Sequence, residues 1–180
     1  MKLVKTSIEG CYEILPFNLK DHRGSFVKPY HRDDFKEVGL DFNLSEEFYS
    51  VSKKGVIRGM HFQLPPKDTI KGVICLGGSI FDVVVDLRVD SPTYKQHFTI
   101  ELSEEKGNML YIPKGLAHGF CTLSEEAVVL YICSEVYSPE HDTGINWKSA
   151  GISWPEEDPI VSDKDNELIG LDQFESTFKL

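Results

Sequence analysis

The chain has 180 residues, 41% hydrophobic and 27% charged, with 29 Asp and Glu against 19 Lys and Arg, for a formal net charge of −10. This apolar content supports the core of one domain, taken as residues 1–180, and excludes disorder as the main state. The acidic balance opposes the counterion release that drives nucleic-acid and anionic-membrane binding, so neither is expected as a partner. A small anionic ligand would have to be met by a few Arg and Lys set locally against that field. No apolar run approaches the ~20 residues that span a bilayer, and the start MKLVKTSIEG lacks the apolar stretch of a secretory signal. A cytoplasmic location follows as the expectation. Cys11, Cys75, Cys121 and Cys133 are scattered without a CxxC pair and read as reduced, structural thiols.

Taken in chain order, β-branched and aromatic residues predict strands over 12–17, 47–52 and 56–62, with a short helix over 31–38 stopped by Gly39. The run 70–76 predicts a further strand, joined through Gly77-Gly78 as a two-residue hairpin to the strand 80–88. In that second strand, alternation puts Asp82, Val84, Asp86 and Arg88 on one face and Val83, Val85 and Leu87 on the other. Strands over 97–102, 109–112 and 128–136 follow, then a possible helix after Ser162. Many short strands, little helix and no repeat or linker predict an all-β antiparallel sandwich, with a jelly roll as the leading architecture.

Ionisable groups interrupt these apolar segments: Arg58 and His61 in VIRGMHFQ, Lys71 in TIKGVICL, Asp82 in IFDVVVDLR, His118 in GLAHGF and Tyr131 in VVLYIC. Any one of them alone is more often a hydrogen-bonded core or rim residue. As a set they imply one shared polar cavity, because buried charge is costly unless paired. His61, with an ordinary pKa near ~6.5, suits a general base. Lys71 suits an oxyanion stabiliser, and Tyr131, with an ordinary pKa near ~10, suits an acid on the opposite face. Those three roles move a proton next to a carbonyl. Strict alternation sets Arg58 and His61 on opposite strand faces; a bulge at Gly59, or service of Arg58 to a neighbouring site, would reconcile them.

The segment Ser52 to Gln63 resembles the dTDP-4-dehydrorhamnose 3,5-epimerase family, and so do Asp21-His22-Arg23-Gly24-Ser25-Phe26, Phe81 to Arg88 with Ser91-Pro92-Thr93, and Ile112 to Phe120. Ile145-Asn146-Trp147, Ile152 to Pro155 and Ser162 to Asp165 follow in the family order, so the resemblance covers about residues 10–170. It implies a cupin-like jelly roll with short peripheral helices, usually a homodimer. The implied activity is inversion of C3, C5 or both beside the C4 ketone of a nucleotide-linked 4-keto-6-deoxy sugar, without cofactor or metal. By position, His61 would be the base, oriented by Asp165, with Lys71 stabilising the enolate and Tyr131 as acid. Asp82 would orient Lys71, His118 would line the sugar pocket, and Arg23 with Arg58 would meet the diphosphate; Phe26 lies in the same substrate-binding motif as Arg23.

This chain departs from the family pattern at Lys28, usually acidic, at Glu46 and Phe48, usually Gln and Asn, and at Tyr49, usually smaller or polar. Gly72 and Leu116 replace a usual Leu and Phe. Lys28, Glu46 and Phe48 are therefore substrate-binding candidates at which nucleotide or sugar preference changes. The alternatives are a single-centre C3 or C5 epimerase on a GDP-, CDP- or dTDP-linked hexose or heptose, or a non-catalytic sugar-binding jelly roll. A metal-dependent cupin lacks its usual close His-x-His pair here.

Overall fold

The computed structural model describes all residues, Met1–Leu180. Thirteen strands and two short helices follow one another as β1 (Lys2–Lys5), β2 (Tyr12–Leu15), β3 (Phe17–Asp21), β4 (Gly24–Lys28), α1 (Arg32–Glu37), β5 (Glu46–Lys53), β6 (Ile57–Gln63), β7 (Lys71–Gly77) and β8 (Ser79–Asp86). Then come β9 (His97–Ser103), β10 (Met109–Ile112), β11 (Leu116–Thr122), β12 (Glu126–Cys133), β13 (Asp142–Gly144) and α2 (Asp163–Asn166). Six strands form one sheet in the order β1-β2-β10-β7-β12-β5 and five form the other, β13-β6-β11-β8-β9; β3 and β4 make a separate two-stranded arm. This is the jelly-roll sandwich that the alternation predicts.

Both faces of the five-stranded sheet are apolar, for different reasons. Ile80, Val84 and Phe120 point between the sheets and pack with Val73, Cys75, Val129 and Tyr131 from the six-stranded sheet. Val83, Val85 and Leu87 point outward, where Leu171, Phe174 and Phe178 of the C-terminal segment cover them. Each fully buried aliphatic or aromatic side chain contributes roughly 1.5–3 kcal/mol, so both layers matter. Outside the six-stranded sheet, Phe35 of α1, Leu40 and Phe42 pack on Ile14, Ile74, Met109 and Ile132.

The predicted β7–β8 hairpin does not form. β7 pairs with β10 and β12 in one sheet, whereas β8 pairs with β11 and β9 in the other. Gly78 does take a positive φ of 74°, but the turn carries the chain from one sheet to the other. A Cβ there would sit 2.2 Å from the Glu126 carbonyl oxygen, so the corner requires glycine. Strand β11 escapes propensity because Ala117, His118 and Gly119 are weak strand formers; burial between β6 and β8 decides it. Gly72 faces Met109 and Ile132, and Leu116 lies in the inter-sheet core, so neither reshapes the cleft described below.

Candidate active site

Two adjoining cavities, of about 390 and 340 Å³, share Phe48, His61, Lys71 and Lys164 and form one cleft at the mouth of the sandwich. His61 comes from β6 in the five-stranded sheet, and Tyr131 comes from β12 in the six-stranded sheet. Two groups suited to proton transfer therefore enter the cleft from opposite walls. Lys71, at the start of β7, stands in register with Cys133 two residues beyond Tyr131.

A bulge settles the orientation of Arg58 and His61. Phe120 pairs with Arg58 and His118 with His61, so three steps along β6 face two along β11. The extra residue returns Arg58 to the side of His61, and both line the same cavity. Gly59 makes this possible. Its φ is 125°, and a Cβ would lie 2.6 Å from the Gly119 Cα and 2.7 Å from the His118 carbonyl oxygen. Gly59→Ala should therefore cost ~2 kcal/mol or more and lower the melting midpoint by about 4–8 °C. An unchanged thermal melt would show that the bulge tolerates a side chain.

Asp165 ties the bulge to the imidazole. Its Oδ2 accepts the Gly59 N–H at 3.1 Å, and its Oδ1 lies 2.7 Å from His61 Nε2. Ser162 caps α2 by accepting the Asp165 N–H, which holds that carboxylate in place. Burial pushes the Asp165 carboxyl up, but the His61 hydrogen bond and charge, with the Gly59 amide, outweigh it and hold it below the ordinary range. An ionised carboxylate only accepts, so the ring nitrogen that faces it, Nε2, carries a proton.

Around this pair, burial lowers the Lys71 pKa against the opposing pull of Cys133, Asp142 and Asp82. Its ammonium donates to the His61 carbonyl oxygen at 3.4 Å. Burial raises the Tyr131 phenol well above its ordinary value, keeping it a proton donor. Asp82, fully buried, places Oδ2 2.8 Å from His118 Nε2 and leaves Oδ1 without a partner. The expectation that Asp82 orients Lys71 is thus corrected: Asp82 braces His118 from behind and reaches Lys71 only through its charge.

Of the other sequence candidates, Glu46, Phe48 and His118 line the cleft with Arg58. Arg23, Phe26 and Lys28 do not. They lie on the exposed β3–β4 arm, where Arg23 pairs with Asp21 at 2.7 Å, so within one chain only Arg58 of the two arginines expected at the diphosphate lines the cleft. Several lining groups carried no signal as site residues in the sequence reading. Gln63 fastens the 136–138 segment through Ser138 and Val136, Tyr137 donates its N–H to Glu46, and Lys164 pairs with Asp142 at 2.6 Å. Ser52 accepts from Arg58 Nε at 2.9 Å. Period two on β5 was the available clue, since Glu46, Phe48, Ser50 and Ser52 share its inward face. No group of three His, Cys, Asp or Glu side chains is arranged to hold a metal ion.

Fold and cleft define a cupin-like jelly roll with a polar ligand site between its sheets. Residues 5–173 match the family model described as dTDP-4-dehydrorhamnose 3,5-epimerase. The enzyme of that name from Methanothermobacter thermautotrophicus is 43% identical over 169 residues, 91% of each chain. A dTDP-4-dehydrorhamnose 3-epimerase from Streptomyces niveus is 39% identical over 174 residues, 95% of this chain and 84% of that one. The solved dTDP-6-deoxy-D-glucose-3,5-epimerase of Legionella pneumophila, in complex with dTDP-4-keto-L-rhamnose, superposes with a TM-score of 0.92 at 34% identity, covering 97% of this chain and 94% of that one. The chain belongs to the dTDP-4-dehydrorhamnose 3,5-epimerase family, isomerases acting on sugar nucleotides.

Proposed function

We propose that the chain inverts one or both carbons flanking the C4 ketone of a nucleotide-linked 4-keto-6-deoxy sugar, using no metal or cofactor. The observation that carries this reading is the entry of His61 and Tyr131 into one cleft from opposite sheets, with Lys71 beside them. His61 takes the proton from the carbon, the C–H electron pair moves into the enolate, and Lys71 stabilises the charge on the ketone oxygen. Tyr131 then protonates the carbon from the other side; its phenolate regains a proton from solvent and the protonated His61 gives one up to solvent, which resets both groups. Arg58 is suited to the diphosphate by its planar guanidinium, and His118 to a sugar hydroxyl. A dTDP-linked substrate is supported by the dTDP-4-keto-L-rhamnose held by the Legionella relative.

A single-centre epimerase is the second reading, favoured by the similarity to the Streptomyces niveus 3-epimerase and by Phe48 in the cleft. The expected assembly is a homodimer. Phe17, Leu19 and Phe26 on the arm and Tyr49 and Val51 on β5 leave apolar surface exposed, which a second copy can cover while its arm carries Arg23 towards this cleft. Four buried free thiols fit a reducing, cytoplasmic setting.

The test is incubation with dTDP-, GDP- and CDP-linked 4-keto sugars in D2O with a chelator present, read by NMR and mass spectrometry. Deuterium is expected at C3, C5 or both of the dTDP-linked hexose, undiminished by chelation. No exchange with any substrate would overturn the epimerase reading, and loss on chelation with rescue by added metal would overturn the metal-free one. Light scattering of the same sample should give twice the chain mass.

A further inference from the structure

We propose that Phe48 is a positioning residue for Tyr131, its ring fixing the phenol and keeping water off it so that the hydroxyl serves one face of the substrate. The inference rests on the reading of Tyr131 as the acid. Phe48 stands directly opposite Tyr131 in the β5–β12 register, and the two rings stack with centroids 4.6 Å apart and planes 14° apart. Phe48 is itself 44% exposed. It lines both parts of the cleft and covers one face of a phenol that is only 7% exposed. The His118 ring stands edge-on to Tyr131, with centroids 6.0 Å apart and planes at 72°. With Phe48 stacked flat on it and His118 edge-on to it, the phenol has little freedom to turn.

The neighbouring strand position adds to this. Ser50, two residues on and on the same face of β5, has a buried Oγ with no hydrogen-bond partner and lines the same cavity as Tyr131. The charged and titratable groups facing Tyr131 are Arg58 from β6, Asp82 from β8, His118 from β11 and Cys133 on its own strand, with His61 and Lys71 lining the same cleft.

The experiment compares Phe48→Leu, Phe48→Met and Phe48→Tyr with the parent in D2O, measuring hydrogen exchange and inversion of dTDP-4-keto-6-deoxyglucose across pH. Losing the stack should lower the ratio of inversion to exchange by about three- to tenfold, the range an aromatic pair supports. The alkaline limb of that ratio should move to lower pH as water reaches the phenol. Lys71 acts on both rates, so its titration leaves the ratio unmoved. Phe48→Tyr, which keeps the stack, should restore both readings. A substrate-free measurement runs in parallel: in ring-labelled tyrosine NMR, the signal missing from Tyr131→Phe should titrate at lower pH in the Leu and Met variants. A parental ratio and titration in either folded variant would overturn the proposal, as would exchange and inversion falling equally. Parental inversion by Tyr131→Phe would instead overturn the assignment of the acid, and the role of Phe48 with it.

Discussion

His61→Ala is expected to yield a folded protein that no longer exchanges substrate hydrogen at any carbon. A base acts in the first step wherever it occurs, and its loss typically costs ~10²–10⁴ in rate. The fold should survive because the His61 side chain is about one-third exposed and its partner Asp165 keeps the Gly59 amide and the Ser162 cap. Asp165→Asn should fall between this variant and the parent, since the imidazole stays but is less basic and less firmly held. A pH signature accompanies the loss. In the parent, Asp165 has a lowered pKa, so its contribution to stability is complete above the ordinary value of ~3.9 and is lost as pH falls through the lower folded value. Without His61, burial acts on Asp165 with less opposition, and the acid unfolding midpoint should rise. Trp147 fluorescence reads this directly, because its indole donates to Asn166 at the end of α2. Near-parental deuterium uptake by folded His61→Ala would show that another group is the base.

The sandwich was legible because its period-two alternation reports which strand faces are buried, and that pattern survives whatever the strands pair with. Pairing itself was not legible. Gly77-Gly78 supports a hairpin locally, yet β7 and β8 belong to different sheets because each finds a long partner elsewhere: β12 for one and β11 for the other. The same limit explains the site. His61, Lys71, Tyr131 and His118 stood out as polar residues in apolar runs, and they do share a cleft. Asp165 sits outside any such run and was reached only through family resemblance; its contact with His61 spans 104 positions of sequence. Ser50, Ser52 and Lys164 look like ordinary surface residues until β5 and α2 are placed. Arg23 shows the opposite limit. Its motif is recognisable, but the arm that bears it pairs with neither sheet, so sequence order says nothing about where the guanidinium goes.

Tyr131→Phe and Lys71→Met should separate two kinds of defect that a simple activity assay merges. The phenylalanine keeps the ring stacked on Phe48 and edge-on to His118, so packing is conserved and only the hydroxyl is lost. His61 can still remove a substrate proton and return deuterium to the face it came from. Exchange should therefore remain within about tenfold of the parent while inversion falls by ~10²–10⁴. Lys71→Met removes the charge that stabilises the enolate, so exchange and inversion should fall together, by ~10²–10³. Its fold should hold, because burial already works against the Lys71 charge, and methionine fills similar space without that burden. Measured in D2O on the same dTDP-linked substrate, the two variants should thus differ in the ratio of inversion to exchange even where their product yields agree. If Tyr131→Phe inverts as fast as the parent, the proton comes from water or another side chain. If Lys71→Met loses inversion alone, Lys71 acts after the enolate has formed and its charge is not what makes the carbon acidic.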